Sequence, residues 1–179
     1  ETIAKLWADA SVKGRERGRT EGSQGNRHQA MAPHGCYRCQ GEDRWVVITV
    51  EDDAMWQRLC GVVGRPELAS DPRFADALSR WKNQDEADRI IETWTKEREP
   101  RAVMLALQEA GVAAGLVATN KDSLLDPHLR ERRYFENVNH TLEPELDTRV
   151  YPGRPWKMAP TPVRIRRAAP SAGQDNGFV

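Results

Sequence analysis

The sequence lacks the features that define several large classes of protein. No apolar run approaches the roughly 18 residues needed to cross a bilayer, and the chain does not open with a basic segment followed by an apolar one. Lysine plus arginine and aspartate plus glutamate both number 27, so the formal net charge is zero. A chain without net charge has no overall field that attracts nucleic acid or an anionic membrane. We therefore expect neither of these as a partner.

Cysteine is also scarce, with Cys36, Cys39 and Cys60 in 179 residues. Three thiols cannot build a disulfide scaffold, and they favour a reducing, cytoplasmic location. Cys36 and Cys39 form a CxxC pair, which is typical of half a zinc site or of a redox pair. A second ligand pair at comparable spacing is missing from the sequence. We interpret the pair as ordinary thiols, keep a metal or redox role as the alternative, and expect no metal site.

What is present predicts a mixed α and β protein. Helical spacing of apolar residues predicts a helix over residues 1–11, and a Gly- and Arg-rich linker follows over 13–26. Residues 35–39 and 45–50 are predicted as strands. Because a short turn joins them, they are expected to pair antiparallel.

Three helices are predicted after these strands. The first begins at Asp52 or Asp53, either of which can cap it. The second begins at Asn83, where Asn83 and Glu86 have the spacing of a capping box. The third spans residues 101–110 and ends at a glycine.

The rest of the chain is predicted to be more irregular. A strand over 112–119 is followed by a helical turn at Asp126-Pro127 and by a strand over 134–140. From Tyr151 onward, repeated prolines keep the chain extended. The predicted fold class is α+β: a small antiparallel sheet packed with about four or five helices, plus an extended Pro-rich C-terminal tail.

No catalytic group follows from spacing or composition, but short blocks along nearly the whole chain carry a resemblance to one family. The blocks are Gly25-Asn26-Arg27-His28, Ala32-Pro33-His34-Gly35-Cys36, Trp56-Gln57-Arg58-Leu59-Cys60, Asp71-Pro72-Arg73-Phe74, Leu107-Gln108-Glu109-Ala110-Gly111, Asp126-Pro127-His128-Leu129 and Gly173-Gln174-Asp175-Asn176. In this order they resemble the C-terminal half of the family III CoA-transferases of CaiB/BaiF type. That family includes formyl-CoA transferase, carnitine CoA-transferase and α-methylacyl-CoA racemase.

The resemblance implies a two-domain enzyme whose chains interlock as a homodimer. It implies that residues 1–26 return from a missing large domain, that 27–143 form a small α+β domain, and that 144–179 pack on the large domain or on a partner chain. In the transferases an Asp of the large domain attacks the acyl-CoA, giving an acyl-aspartyl anhydride and then an aspartyl-CoA thioester. That Asp falls upstream of Glu1, so no catalytic residue is assigned within this chain.

One active-site element of the family falls inside the chain. In formyl-CoA transferase-like members a glycine-rich loop follows the Gly-Asn pair and covers the reacting carboxylate. The matching loop is not glycine-rich here, which lowers its backbone freedom and leaves a bulkier acyl group open. His28 or Gln29 is expected to donate hydrogen bonds to the acyl carbonyl or carboxylate; alternatively, the segment only links two domains. The candidate substrate-loop residues are Gly25, Asn26, Arg27, His28, Gln29, Ala30 and Met31.

The resemblance thus implies a portion of an enzyme that moves CoA between an acyl-CoA and a carboxylic acid. CoA is then a substrate carrier, and no cofactor is expected. Two alternatives remain open: a portion of an acyl-CoA racemase that uses upstream His and Asp residues, or a non-catalytic subunit or interaction module.

Overall fold

The computed structural model describes residues 25–140, 145, 147–170 and 172–178. The helix predicted over residues 1–11 and all but the last two residues of the predicted linker lie outside these ranges. The chain forms two compact units that divide after Val117, and each is described by itself. The domain boundaries predicted after residues 26 and 143 stay predictions.

A three-stranded antiparallel sheet forms the centre of the first unit. Its strands are β1 (His34–Arg38), β2 (Trp45–Thr49) and β3 (Ala113–Leu116), in the order β1-β2-β3. Val47 of β2 pairs with Cys36 on one side and with Gly115 on the other. All three strands were predicted, within a few residues of their ends.

From residue 25 onward, the first unit also contains four α-helices and one 3₁₀ helix. They are α1 (Asp53–Val63), the 3₁₀ helix Pro66–Ser70, α2 (Ala77–Lys82), α3 (Gln84–Thr95) and α4 (Pro100–Glu109). The side chain of Asp52 accepts a hydrogen bond from the Met55 amide at 2.6 Å, which confirms the predicted cap of α1. Gly111, with a φ of 74°, ends α4 as predicted, because its left-handed conformation suits glycine.

The capping box predicted at Asn83 is wrong, although α3 does begin just after this residue. Helix α2, which was not predicted, ends at Asn83, so the residue serves two helices at once. Its side-chain Nδ2 donates to the main-chain carbonyls of Arg73 and Ser79, at 3.1 and 2.9 Å. The amide therefore satisfies carbonyls before α3 rather than amides within it.

The inner face of the sheet packs on the helices to form an apolar core. Alternate residues of β2 point inward, so that Val46 and Ile48 are buried while Val47 is exposed. The helices contribute buried side chains such as Leu59 of α1 and Leu107 of α4. Burial of this apolar surface is the main favourable term for folding of the first unit.

The second unit contains short helices and a separate sheet. Its elements are α5 (Asn120–Leu125), α6 (Pro127–Glu131), β4 (Phe135–Asn139), β5 (Thr148–Pro152) and the 3₁₀ helix Asn176–Phe178. The predicted cap of α6 is confirmed, since the Asp126 side chain accepts from the Leu129 amide at 3.0 Å. β4 was predicted, but its antiparallel partner β5 lies where only an extended tail was expected.

The predicted α+β class is confirmed, with six α-helices and two small antiparallel sheets across the described residues. The prediction of four or five helices and one sheet missed α2, α5 and β5. Both missed helices have fewer than seven residues, too short for a clear apolar period. None of the described helices has the length and apolar character required to cross a membrane.

Candidate functional site

The predicted substrate loop lies immediately before β1, in the first unit. Gly25 adopts a φ of 62°, a left-handed conformation that favours glycine. The main-chain carbonyl of Asn26 accepts a hydrogen bond from Nδ1 of His34, the first residue of β1, at 2.6 Å. Most loop residues are exposed, while His28 and Met31 are half-buried. The chain therefore folds back on the start of the sheet and presents a short exposed loop.

Ion pairs attach the first half of the loop to helix α3. The guanidinium of Arg27 hydrogen-bonds Asp85 and lies 3.6 Å from Asp88. Asp88 also accepts a hydrogen bond from the Tyr37 hydroxyl at 2.7 Å, which joins α3 to β1. Helix α3 places both acids on one side because residues three apart are neighbours on a helix surface.

The two acids of this contact have opposite pKa shifts. Burial raises the pKa of Asp88, and the Tyr37 hydroxyl and Arg27 offset this only in part. The hydrogen bond from Arg27 lowers the pKa of Asp85, which is exposed. Burial also raises the pKa of Tyr37, with Asp88 adding to the shift, so the phenol stays protonated and donates to Asp88.

The far end of the loop is held by a buried arginine of α2. Nε of Arg80 donates to the main-chain carbonyl of Ala32 at 3.0 Å, and both residues are fully buried. Arg80 also forms an ion pair with Asp53, at 2.7 Å. The loop is thus fixed at two points, and residues 28–31 span the interval between them.

The loop's imidazole has a defined hydrogen-bonding state. Nδ1 of His28 accepts a hydrogen bond from the Ala30 amide at 3.1 Å, so the neutral ring carries its proton on Nε2. The ring also packs against His34, with ring centroids 5.4 Å apart. An Nε2 proton can be donated to a carbonyl or carboxylate oxygen, the role that the sequence predicted for His28 or Gln29.

Three carboxylates contact the two arginines that hold the loop. Asp53 pairs with Arg80, while Asp85 and Asp88 contact Arg27.

Cys39 and Cys60 are buried thiols, whereas Cys36 is half-buried. Burial raises the pKa of Cys39 and of Cys60 to about 11, and it raises that of Cys36 as well. Cysteines that act as nucleophiles have lowered pKa values, because the thiolate is the reactive form. Within the part of the chain that the structure describes, no group of three or more His, Cys, Asp or Glu residues is arranged to hold a metal ion.

The second unit has a cavity of about 670 Å³ with a basic lining. Glu136 is its acidic member, and Nη1 of Arg154 lies 3.5 Å from this carboxylate. Trp156 and Met158 add apolar surface to the wall. The cationic residues of the lining are Arg132, Arg133, Arg154, Lys157 and Arg164. This cavity was not predicted, because its residues are spread over more than thirty positions of irregular chain.

The sequence profile of CoA-transferase family III matches residues 1–176. The chain belongs to CoA-transferase family III. It is 40% identical over 154 residues to a probable CoA-transferase of Mycobacterium tuberculosis, covering 83% of this chain and 19% of that protein. It is 32% identical over 152 residues to a succinyl-CoA–D-citramalate CoA-transferase of Chloroflexus aurantiacus, covering 85% and 37%. The chain therefore spans between about a fifth and two fifths of the length of these relatives.

A solved structure shares the fold of this chain. A CAIB/BAIF family protein from Brucella suis superposes with a TM-score of 0.80 at 20% identity, covering 98% of this chain and 44% of that one. At this identity the likeness shows the fold alone. The family predicted from the sequence blocks is confirmed, whereas the substrate-loop residues stay predictions.

Sequence reasoning found the loop but missed what holds it. Arg80, Asp88 and Tyr37 are contacts between positions tens of residues apart, which no local pattern reveals. Arg80 gave no such signal, because an arginine in a short helix is most often exposed, whereas here its side chain is buried. That burial is a tertiary property and cannot be read from one sequence.

Proposed function

We propose that this chain is the C-terminal portion of an enzyme that moves CoA between an acyl-CoA and a carboxylic acid. The nucleophilic Asp belongs to an N-terminal domain outside these 179 residues. The observation that carries the proposal is the loop at residues 25–31, which is attached at both ends and offers an imidazole N–H donor. Family membership and the names of its relatives support CoA transfer as the reaction.

The proposed reaction assigns the loop to charge stabilisation. The Asp carboxylate attacks the thioester carbonyl, the C–S bond breaks, and an acyl-aspartyl anhydride and CoA thiolate are formed. The thiolate then attacks the aspartyl carbonyl, which releases the acid and leaves an aspartyl-CoA thioester. The acceptor acid reverses these steps. Each attack places negative charge on a carbonyl oxygen, where the Nε2 proton of His28 or the amide of Gln29 would donate a hydrogen bond.

A dicarboxylic acid is the substrate class that we propose. Relatives include a succinyl-CoA:mesaconate CoA-transferase of Haloarcula hispanica and a succinate–glutarate CoA-transferase of Agrobacterium fabrum. The loop after Gly25 and Asn26 carries His, Gln and Met side chains where formyl-CoA transferase-like members have glycines. Such side chains can contact an acyl group with more than one or two carbons, which also supports this choice.

The same proposal includes the setting of the enzyme. We propose a homodimer of interlocked chains, a reducing cytoplasmic location, and CoA as substrate carrier with no separate cofactor. The three cysteines are free, which supports a reducing compartment.

The test is a CoA-transfer assay with succinyl-CoA as donor and a panel of mono- and dicarboxylic acids. It is run on the 179-residue chain alone and together with the N-terminal region. We expect activity only in the second case. Activity of the chain alone would place the nucleophile within these residues and contradict the proposal. Exchange of the α-proton of an acyl-CoA in D₂O, without CoA transfer, would identify the racemase reaction instead.

A matched pair of histidine variants tests the loop. His28→Ala removes the imidazole donor, whereas His128→Ala changes an exposed histidine of α6 in the second unit. We expect His28→Ala to lower kcat by about 100-fold, because the loss of one oxyanion donor costs about that much or more. His128→Ala should leave kcat unchanged. Equal kcat values for these two variants and for Gln29→Ala would mean that the loop only links two domains.

A further inference from the structure

The side chain of Arg80 is the largest one that is fully buried in the described residues. A charged group is removed from water only at high cost unless its hydrogen bonds are replaced. All three nitrogens of the guanidinium have such replacements: Nε donates to Ala32, Nη1 to Phe74 and Nη2 to Asp53, at 3.0, 3.2 and 2.7 Å. These three acceptors compensate the guanidinium for the loss of water, and the bonds to Ala32 and Phe74 are buried, whereas Asp53 is more than half exposed.

The three acceptors belong to different parts of the first unit. Ala32 follows the candidate loop, Phe74 lies in the turn before α2, and Asp53 is the first residue of α1. Because the guanidinium is a planar fork with fixed donor directions, it sets where each acceptor lies relative to the other two. The guanidinium also lies 5.8 Å from the ring centre of the buried Trp56, which ties it to the core.

The two anchors of the loop differ in strength. Arg27 and Asp85, at the first anchor, have side chains that are 44% and 77% exposed, so water and salt weaken their attraction. The bond from Arg80 to the Ala32 carbonyl is buried and is not screened in this way. Four residues, 28–31, separate the two anchors. Because this segment is short, we expect a displacement of Ala32 to displace His28 as well.

We propose that Arg80 is a positioning residue: by holding the Ala32 carbonyl, it sets the place of loop residues 28–31 at the acyl site. The inference rests on the proposed function, because it assumes that this loop acts on the substrate. Arg80 itself is fully buried and does not contact the substrate. Its effect on the reaction passes through the loop.

The test compares Arg80→Lys with Asp53→Asn in the chain joined to its N-terminal region. A lysine keeps the charge but cannot reach three acceptors, so the Ala32 carbonyl loses its fixed donor. Asp53→Asn weakens the hydrogen bond that Nη2 of Arg80 donates at position 53 and keeps the bond from Nε to the Ala32 carbonyl. We expect amides 26–32 to exchange hydrogen about 10-fold faster in Arg80→Lys, and less than about 2-fold faster in Asp53→Asn.

Kinetics give the second readout. We expect Arg80→Lys to lower kcat by about 10-fold with a change in KM below about 3-fold, because loop placement matters most in the transition state. Asp53→Asn should leave kcat within about 2-fold of wild type. If Arg80→Lys is too unstable to purify, Arg80→Gln provides the same comparison. A neutral amide carries a smaller desolvation cost, and Asp53 is more than half exposed.

Two outcomes would overturn the inference. One is an even rise in exchange over the loop, α1 and α2, which would mean that Arg80 only stabilises the unit. The other is an equal effect of the two variants on the loop amides. If the wild-type protein shows no CoA transfer at all, the proposed function fails. The exchange data then still decide whether Arg80 positions the loop.

Discussion

The two units of the chain are stabilised in different ways. The first unit has a continuous apolar core built from its sheet and its helices, to which fifteen of its described residues contribute buried side chains. Of the described residues in the second unit, only Val138 and His140 are buried. The second unit also exposes large apolar side chains, among them Trp156, Met158 and Val163.

Glu136 makes two polar contacts in the second unit. One oxygen of the Glu136 side chain accepts a hydrogen bond from the Ile165 amide at 2.7 Å, and the other lies 3.5 Å from Arg154. Such contacts contribute less than the burial of several large side chains, because water competes for the same groups. The comparison teaches that the first unit can hold a loop in a fixed position. The second unit offers mainly a basic, partly apolar surface.

The largest difference between the two units is expected when a large apolar side chain is deleted from each of them. Leu107→Ala removes a fully buried leucine from the first unit, and we expect it to lower the free energy of unfolding by about 3 kcal/mol. Leu125→Ala removes a leucine that is 56% exposed in the second unit, and we expect a loss below about 0.5 kcal/mol. Denaturant titration monitored by hydrogen exchange measures the free energy of unfolding of each unit separately. A cost of about 2 kcal/mol or more for Leu125→Ala would break the comparison.

Removing one tyrosine hydroxyl from each unit tests the polar contacts. The Tyr37 hydroxyl donates to Asp88 at 2.7 Å, and that of Tyr151 is 2.8 Å from Nε2 of His140. We expect Tyr37→Phe to cost about 1.5 kcal/mol, because its acceptor is a partly buried carboxylate, and Tyr151→Phe about 0.5 kcal/mol. Thermal unfolding monitored by circular dichroism gives both values. Equal costs would show that polar contacts are equally strong in the two units.

Local chemistry made much of the first unit predictable. The strand β2 and the cap at Asp52 follow from the chemistry of neighbouring residues, and both were confirmed. The cap at Asn83 failed because the end of α2 competes for the same amide. The loop was recognised through its resemblance to a family. The buried contact of Arg80 depends on residues 48 positions apart and could not be predicted.

Two carboxylates should respond to pH with opposite sign. Burial raises the pKa of Asp88 in the first unit, whereas the hydrogen bond from Arg167 lowers that of Asp175 in the second. Asp88 therefore contributes stability that is full below its ordinary pKa of 3.8 and is lost as the pH rises through its folded value. The contribution of Asp175 is present above 3.8 and is lost as the pH falls through its lowered value.

Titration of the side-chain carboxyl carbons by NMR measures these two pKa values directly. We expect Asp88 to titrate above 3.8 and Asp175 below it. Asp88→Asn should reduce the loss of melting temperature that occurs as the pH rises from acidic to neutral. Asp175→Asn should reduce the loss of melting temperature that occurs as the pH falls below 3.8. A lowered pKa for Asp88 would mean that Arg27 and Tyr37 outweigh its burial.

The smallest effect is expected at the exposed anchor of the loop, the contact of Arg27 with Asp85. Here the comparison is between two contacts of the first unit, one exposed and one buried. Asp85→Asn removes one partner of Arg27, and the exposed pair is screened by salt. We expect the loop amides to exchange on the order of twofold faster at low ionic strength, and no faster than wild type at about 1 M salt. Glu97→Gln, at an equally exposed acid of the same unit, is the matched control and should change nothing. The buried contact of Arg80 with Ala32 should be insensitive to salt. An Asp85→Asn effect that persists in high salt would therefore mean that this anchor, too, acts through contact rather than charge.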